Sequence, residues 1–180
     1  MRDPSTFLEN SVEKARYETH NNSIENQGYV RFLTPVVDAV CEVTERGARG
    51  LDFGSGPGPI IDQLLHPKGY VVENYDPYFD PHHEKLDQVY DFVTCTEAFE
   101  HFYEPATEMD RILRCLKPGG FLFLMTQFRE DKTHFLKWGY RMDNTHVGFL
   151  NHESLHYLCQ NWGLECHQSD GRLSVLQKLW

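Results

Sequence analysis

The segment most informative about the fold reads Leu51-Asp52-Phe53-Gly54-Ser55-Gly56-Pro57-Gly58, the end of a predicted strand followed by a glycine-rich turn. Alternate glycines permit positive φ angles and let a ligand lie against the main chain. Residues 51–53, before the turn, are predicted to form a strand, and residues 59–65, after it, are predicted to form a helix. A dinucleotide-binding turn would place its third glycine at position 59, where this chain has Pro59. The turn therefore suits an amino-acid group and a ribose better than a pyrophosphate.

A carboxylate follows the next predicted strand, which runs from Tyr70 to Tyr75. Asp76 comes about 20 residues after the glycines, where an acid can accept both ribose hydroxyls. No basic residue lies nearby in the sequence to bind a 2′-phosphate. In a purely structural interpretation, the three glycines form only a tight turn and Asp76 is only a helix cap. The register of both motifs with strand, helix and strand favours a ligand site.

Strands and helices continue to alternate towards the C-terminus. Further strands are predicted over residues 90–96 and 121–126, separated by an amphipathic helix from Pro105 to Leu116. This alternation predicts an α/β fold with a doubly wound, mostly parallel sheet. A last helix, from Asn151 to Gly163, precedes two strands that flank the turn signal Asp170-Gly171. The last two strands, over 164–168 and 173–180, are therefore predicted to form an antiparallel hairpin.

The segment before the glycine-rich turn is predicted to be an N-terminal helical arm, residues 1–46. Thr6 and Glu9 match a capping box, which predicts a helix from about residue 7 to His20. Thr34 and Pro35 predict the start of a second helix. With the core of residues 47–180, the arm would form a single domain.

Composition excludes several classes of protein. The chain has 180 residues and a formal net charge of −10, without a basic block that would neutralise a phosphate backbone. Nucleic-acid binding is therefore disfavoured. There is no apolar run of membrane-spanning length and no secretory signal, so we expect a cytoplasmic protein without a membrane segment. The five cysteines are scattered and are expected to be buried free thiols.

The ordered set of motifs resembles the class I S-adenosylmethionine-dependent methyltransferases, in particular the group with a type 11 or type 23 methyltransferase domain. This resemblance covers the chain from about Gly50 to Phe149. It rests on the following segments: Leu51 to Gly58, Asp76-Pro77, Tyr90-Asp91-Phe92-Val93, Glu97-Ala98-Phe99-Glu100-His101, Leu116-Lys117-Pro118-Gly119-Gly120, and Asp143-Asn144-Thr145-His146-Val147-Gly148-Phe149.

The resemblance implies a Rossmann-like fold, S-adenosylmethionine as cofactor and a small molecule as methyl acceptor. It implies that the glycine-rich turn contacts the methionine part, that Asp76 binds the ribose, and that Thr96 and Glu97 border the sulfonium. In related enzymes an N-terminal arm covers this pocket, so Tyr17 and Arg16 would meet the cofactor carboxylate, with His20 and Asn21 near the substrate. A plain packing helix is the alternative. The expected cofactor-binding residues are Tyr17, Asp52, Gly54, Ser55, Gly56, Gly58, Asp76, Pro77, Thr96 and Glu97.

One departure from the family pattern concerns the third strand. Only residues 77–89 separate the second strand of the family pattern from its fourth. The third strand must therefore be brief or absent, with Lys85-Leu86-Asp87 as its candidate position. This shortened region leaves the adenine contact open, and Pro77, Tyr78 and Phe79 could supply an apolar face.

Two histidines are candidates for handling the acceptor. His101 follows the strand at 90–96, at the sheet edge where open α/β sheets bind ligands, and an imidazole titrates near neutrality. It could be a general base, a helix cap or a cofactor contact. His146 is the second candidate. It lies in an aromatic-rich segment, residues 128–150, which either folds over the substrate as a lid or packs in the helix layer.

No metal site is predicted from the histidine spacing. His82 and His83 are adjacent and, in a helix, could not both face one ion, and no acid completes an H-E-x-x-H motif at His152-x-x-x-His156. A non-catalytic S-adenosylmethionine-binding protein is the main alternative to an enzyme. A nucleotide-linked oxidoreductase is a third possibility, opposed by Pro59 and the terminal hairpin. Thr96-Glu97-Ala98-Phe99 does not match the N/D-P-P-[YF] motif of nucleic-acid amino methylation. The sequence gives no indication of oligomeric state.

Overall fold

The computed structural model describes residues 1–19 and 22–180. Its strands are β1 (Arg49–Phe53), β2 (Val71–Tyr75), β3 (Tyr90–Thr96), β4 (Leu116–Met125), β5 (Leu164–Ser169) and β6 (Leu173–Lys178). Its α-helices are α1 (Asn10–Tyr17), α2 (Gln27–Val43), α3 (Ile61–Leu65), α4 (Pro105–Arg114), α5 (Lys132–Lys137) and α6 (His152–Trp162).

In the described part of the chain these strands form a six-stranded sheet in the order β2-β1-β3-β4-β6-β5. Neighbours among β1 to β4 are parallel, whereas β6 is antiparallel to both β4 and β5. At the hairpin turn the Asp170 carboxylate accepts the backbone N–H groups of Arg172 and Leu173, and Gly171 has φ 86°. The predicted α/β fold with an antiparallel C-terminal hairpin is therefore confirmed.

The sheet is buried on both faces. Alternating β3 side chains enter opposite clusters, since Phe92 points to one side and Val93 to the other. The first cluster lies under α2 and α3, and the second lies under α4 and α6. Burial of each large apolar side chain contributes roughly 1.5–3 kcal/mol, so the central strands rather than the loops fix the sheet edge where ligands bind.

The predicted start of the second helix was wrong. Helix α2 begins at Gln27, because Asn26 accepts the N–H groups of Gly28 and Tyr29, and Pro35 lies inside the helix. An interior proline costs about 3 kcal/mol. Leu33, Val36 and other α2 side chains are buried against the sheet, and their burial outweighs that cost.

The predicted first helix was too long at its N-terminal end. The Thr6 hydroxyl donates to the carbonyl of Asp3 within a 3-10 turn, Pro4–Thr6, so it is not a cap for Glu9. Phe7 then stacks on Tyr103 with ring centroids 4.3 Å apart, and the helix begins only at Asn10. His20, the predicted helix end, lies outside the described residues.

The region of the missing third strand contains a 3-10 turn, His83–Asp87, in place of a strand at Lys85-Leu86-Asp87. The ammonium group of Lys85 binds the Asp80 carboxylate at 2.8 Å and the carbonyl of Asn74 at 2.7 Å. These bonds hold the loop against the end of β2, where a further strand would otherwise pair. Strand β2 is consequently the edge of the sheet.

No helix among residues 1–19 and 22–180 combines the length and the apolar character that crossing a membrane requires.

Candidate functional site

A cavity of about 560 Å³ opens at the carboxyl ends of β1, β2 and β3. Open α/β sheets bind their ligands at this edge. The cavity is lined by the glycine-rich turn with the ends of these strands, by helices α1 and α2 of the arm, by the segment after β3, and by part of segment 128–150. Its lining includes Glu13, Tyr17, Tyr29, Gly54, Ser55, Gly56, Asp76, Thr96, Glu97, Glu100, His101 and His146.

The glycine-rich turn exposes main chain to this cavity. Gly54 and Gly56 have φ angles of 78° and 69°, which residues with a Cβ rarely adopt. The N–H groups of Gly54 and Ser55 both donate to the carbonyl of Tyr75. A Cβ at position 54 would lie 2.6 Å from the Cβ of Ala98, so glycine is required there for packing as well as for its φ angle.

Asp76 ties this turn to the end of β2. Its Oδ2 accepts the N–H of Gly56 at 2.9 Å, and its Oδ1 accepts the N–H groups of Tyr78 and Phe79. Burial raises the pKa of Asp76, and these hydrogen bonds oppose the rise. A carboxylate offers about four acceptor positions. Oδ2 therefore retains capacity for a ribose hydroxyl while it holds the loop.

Asp52 lies beneath the turn and is almost completely buried. Its Oδ1 accepts the Thr94 hydroxyl at 2.7 Å. Burial raises the pKa of Asp52 to about 7, although the hydrogen bond from Thr94 opposes the shift and Asp62 and Asp76 add to it. Asp52 is therefore a protonatable group directly behind the cofactor loop.

Polar atoms suited to a bound amino acid also face this end. Ser55 lines the cavity, and its Oγ is buried without a hydrogen-bond partner in the described part of the chain. An unsatisfied buried hydroxyl costs about 1–3 kcal/mol. A cofactor carboxylate or ammonium group would satisfy it. Thr96 and Pro77 line the same cavity.

Gly58 has a different position from its two neighbours in the motif. A Cβ at this residue would lie 2.2 Å from the carbonyl oxygen of Asn22, so Gly58 allows the arm to approach the turn. Phe79, predicted as part of an adenine face with Pro77 and Tyr78, instead has the ammonium group of Lys14 5.4 Å from its ring. Pro77 and Tyr78 line the cavity.

The arm closes one side of the cavity through a buried carboxylate. Glu13 is 3% exposed and accepts the hydroxyls of Tyr17 at 2.5 Å and Tyr78 at 2.9 Å. Burial and the contact with Glu13 raise the pKa of Tyr17 far above its usual range. The arm is thus joined by hydrogen bonds to the loop that follows β2.

Arg16, expected to meet the cofactor carboxylate, does not line the cavity. Arg16 binds Asp143 at 2.7 Å, so it joins the arm to the segment 128–150. Arg2 reinforces the same junction, because its guanidinium donates to the carbonyls of Arg141 and Asp143. His20 and Asn21, expected near the substrate, lie outside the described residues.

Two acidic side chains lie at the end of β3. Glu97 has φ 49°, in the left-handed region, and its N–H donates to the carbonyl of Met125 at 2.7 Å. The Tyr140 hydroxyl lies between the carboxylates, 3.2 Å from Glu97 Oε2 and in hydrogen-bond contact with Glu100 Oε1. Burial raises the pKa of both carboxyls, and Glu100 raises that of Glu97 further.

Both predicted catalytic histidines are in this part of the cavity. Their rings meet edge to face with centroids 4.7 Å apart. Nδ1 of His101 lies 3.0 Å from the Thr145 carbonyl, and Nδ1 of His146 lies 2.7 Å from the Tyr140 carbonyl. Burial and the neighbouring His101 lower the pKa of His146 to about 4, so this imidazole is neutral at pH 7.

Several lining residues were not identified from the sequence as functional. Glu13 and Tyr29 come from segments without a recognisable motif, and Glu100 was noted only as part of the segment from Glu97 to His101. Their common signal is visible only in the fold, because tertiary packing brings each polar group to the cavity. The aromatic side chains of segment 128–150 contact one another, as in Trp138 stacked on Tyr140 at 4.9 Å.

The comparisons with known proteins agree with this geometry. A family model described as "Methyltransferase domain" (Methyltransf_23) matches residues 25–169. The ubiquinone biosynthesis O-methyltransferase of Photorhabdus laumondii is 34% identical over 83 residues, covering 46% of this chain and 35% of that protein. Its counterpart from Pseudomonas entomophila is 30% identical over 96 residues, covering 52% and 41%. The match thus spans about 35–41% of the length of these two curated relatives.

Solved structures show the same fold at low identity. An O-methyltransferase family protein from Burkholderia thailandensis has a TM-score of 0.61 at 18% identity, covering 86% of this chain and 58% of that chain. Phosphoethanolamine N-methyltransferase 2 of Haemonchus contortus, in complex with S-adenosyl-L-methionine, has a TM-score of 0.54 at 17% identity, with coverages of 92% and 45%. By its family model and its fold, this chain belongs to the methyltransferase-domain family of class I S-adenosylmethionine-dependent methyltransferases.

Proposed function

We propose that this protein binds S-adenosylmethionine in the cavity and transfers its methyl group to a hydroxyl of a small molecule. One observation carries the proposal. A single cavity joins the glycine-rich turn at one end to His101 and His146 at the other. Its volume of about 560 Å³ lies within the range of small-molecule and cofactor sites.

The chain's own residues fit the cofactor. The backbone of Gly54 and Gly56 and the unpaired Ser55 hydroxyl would hold its amino-acid part, and Asp76 its ribose. Asp52 would support the turn from below. Pro77, Thr96, Glu97 and Tyr17 complete the proposed contacts, whereas Gly58 would act indirectly by admitting the arm.

The histidines would prepare the acceptor. When bound, S-adenosylmethionine supplies a methyl group on positive sulfur: the acceptor oxygen forms the O–CH₃ bond while the C–S electron pair returns to sulfur. Because Nδ1 of His101 faces a carbonyl oxygen, it carries a proton, and Nε2 is the atom that takes the proton of the acceptor hydroxyl. His146 packs against His101 and would orient it.

Two observations support a small-molecule hydroxyl as the acceptor: the names of the matched relatives and the net charge of the chain. The matched relatives are O-methyltransferases of ubiquinone biosynthesis, which supports an oxygen nucleophile on a small molecule. The net charge of −10 disfavours nucleic acid as substrate. We further propose a cytoplasmic, single-domain enzyme in which residues 1–46 form the arm, residues 47–180 form the core and residues 128–150 form the lid. The ion pair between Arg16 and Asp143 supports this closure.

Two measurements test the proposal. Calorimetric titration with S-adenosylhomocysteine should give saturable binding to one site. Incubation with methyl-labelled S-adenosylmethionine and a panel of phenols and catechols should then produce S-adenosylhomocysteine. Failure to bind would reject the proposal. Binding without turnover across a panel extended to amines and thiols would instead favour the alternative, a non-catalytic S-adenosylmethionine-binding protein.

A further inference from the structure

Three potential metal ligands meet at the acceptor end of the cavity. Glu100, His101 and His146 each place one ligand atom within 4.8 Å of the others. Glu100 is fully buried, and the His101 side chain is 14% exposed. The outermost two, Glu100 and His146, are 46 positions apart in the sequence. Neither His82-His83 nor His152-x-x-x-His156, the spacings considered in the sequence, belongs to this group.

Both imidazoles are held in the orientation of metal ligands. Each Nδ1 lies at hydrogen-bond distance from a backbone carbonyl, that of Thr145 for His101 and that of Tyr140 for His146. A carbonyl only accepts, so each ring carries its proton on Nδ1 and has its lone pair on Nε2. Metal-binding histidines are characteristically fixed by this kind of hydrogen bond from the second ring nitrogen.

The carboxylates supply the second, independent observation. Glu100 Oε2 and the neighbouring Glu97 Oε1 are buried without a hydrogen-bond partner in the described part of the chain. Glu100 Oε1 lies 4.0 Å from His101 Nε2. Arg172 offsets part of the charge of Glu97, and Tyr140 contacts both acids. Two carboxylates, each with one buried and unsatisfied oxygen, beside two imidazole lone pairs form a centre that attracts a cation.

We propose that Glu100, His101 and His146 bind a divalent cation, with Glu97 as an adjacent oxygen donor, and that this cation holds the acceptor hydroxyl. The ligand set combines two imidazoles with carboxylate oxygen. Such mixed nitrogen and oxygen sets suit Mn²⁺, Co²⁺ or Zn²⁺ better than Ca²⁺ or Mg²⁺, which take mainly oxygen ligands.

The catalytic role of the cation rests on the proposed function and deepens it. Cation binding itself does not depend on that function. A hydroxyl bound to a divalent cation loses its proton to water more readily than a free hydroxyl. The oxygen then forms the O–CH₃ bond described above, and sulfur receives the C–S electron pair. With the cation bound, the lone pair of His101 Nε2 is used as a metal ligand, so the cation replaces His101 in its role as base, and the proton leaves to water through the cavity opening.

The decisive experiment measures cation binding directly. Protein stripped with a chelator is titrated with Co²⁺, followed by visible absorption, and with Mn²⁺ and Zn²⁺ by calorimetry. We expect one site per chain. The variants Glu100→Gln and His146→Gln should each weaken binding by at least about 10-fold, given the cost of disturbing a metal's ligand environment. His152→Gln, in which a histidine outside the cluster is changed, should bind like the parent protein.

The readouts separate this proposal from the previous one. S-adenosylhomocysteine titrations on the same variants report cofactor binding, and thermal unfolding reports whether each variant is folded. Folded parent protein that binds no cation below about 1 mM, or equal cation affinity in His146→Gln and His152→Gln, overturns the metal site and leaves the methyltransferase proposal intact. Cation binding without cofactor binding overturns the methyltransferase proposal alone.

Discussion

The two ends of the cavity are constructed in different ways. The cofactor end is made largely from backbone within residues 52–58, fixed by hydrogen bonds to Tyr75 and Asp76. The acceptor end is made from side chains that are distant in sequence, such as Glu100, Tyr140 and His146. A continuous loop tolerates little substitution at its glycines, whereas a dispersed cluster can change one side chain at a time. We therefore expect the first end to carry the family's sequence signal and the second end to govern the choice of acceptor.

The largest expected effect comes from the acceptor end. His101→Ala should lower turnover by about 1000-fold, within the range for loss of an acid–base group, because the acceptor hydroxyl loses the group that prepares it. The affinity for S-adenosylhomocysteine, measured by calorimetry, should stay within about twofold, since the glycine-rich turn is intact. A parallel loss of cofactor affinity would show that the two ends are not separable.

At the cofactor end, adding a single methyl group at Gly54 should weaken cofactor binding. Gly54→Ala places a Cβ 2.6 Å from that of Ala98, so the turn must shift. We expect the affinity for S-adenosylhomocysteine to fall by about 100-fold, near the upper limit for overpacking. Gly119→Ala is the matched control, because its φ of 77° is nearly the same as the 78° of Gly54 but its Cβ would meet nothing within 4 Å. Equal affinities in both variants would contradict the role of Gly54.

Asp52, beneath the cofactor end, should make the free energy of unfolding depend on pH. The pKa of its carboxyl is raised in the folded state from 3.8 to about 7, so the folded state binds a proton that the unfolded state has released. The free energy of unfolding is therefore highest near and below pH 4 and falls as pH rises towards 7. Between pH 5 and 8 this residue should account for a loss of about 3 kcal/mol.

Asp52→Asn tests this directly, since asparagine is neutral and its oxygen can still accept the Thr94 hydroxyl. Urea unfolding at several pH values should show a shallower decline for the variant than for the parent protein. Identical slopes would mean that Asp52 titrates normally. The measurements should include a chelator, so that cation binding does not alter the acidic groups at the acceptor end.

The smallest expected effect concerns the junction of arm and lid. Arg16→Ala removes an ion pair with Asp143 whose arginine side chain is 43% exposed, so stability should fall by less than about 1 kcal/mol. The KM for the acceptor should rise about threefold as the lid closes less well, and 1 M salt should give the parent protein a similar KM. Lys117→Ala breaks an ion pair with Asp91 whose lysine side chain is 45% exposed and which lies at the opposite end of the strands from the cavity, so it should leave this KM unchanged.

Much of the fold could be predicted from the sequence, because strand periodicity, the glycine-rich turn and Asp170-Gly171 are local signals. Boundaries in the arm could not be predicted. There, Asn26 and the burial of Leu33 outweigh the local preference of Thr34-Pro35 for a helix start. At the candidate site, the cavity-lining glycines and Asp76 lie where the motif indicated. The contacts of Tyr17 with Glu13 and of Glu100 with Tyr140 depend on tertiary packing, which no spacing rule encodes.

The shortened loop after β2 has a consequence for association between molecules. Without a third strand beyond it, β2 presents its outer backbone groups at the margin of the sheet, where another chain can add a strand. The strand has only five residues, and Glu73 at its centre forms an ion pair with Arg49 at 2.9 Å. Brevity and charge thus limit edge-to-edge aggregation, a protection that lengthening β2 with apolar residues would remove.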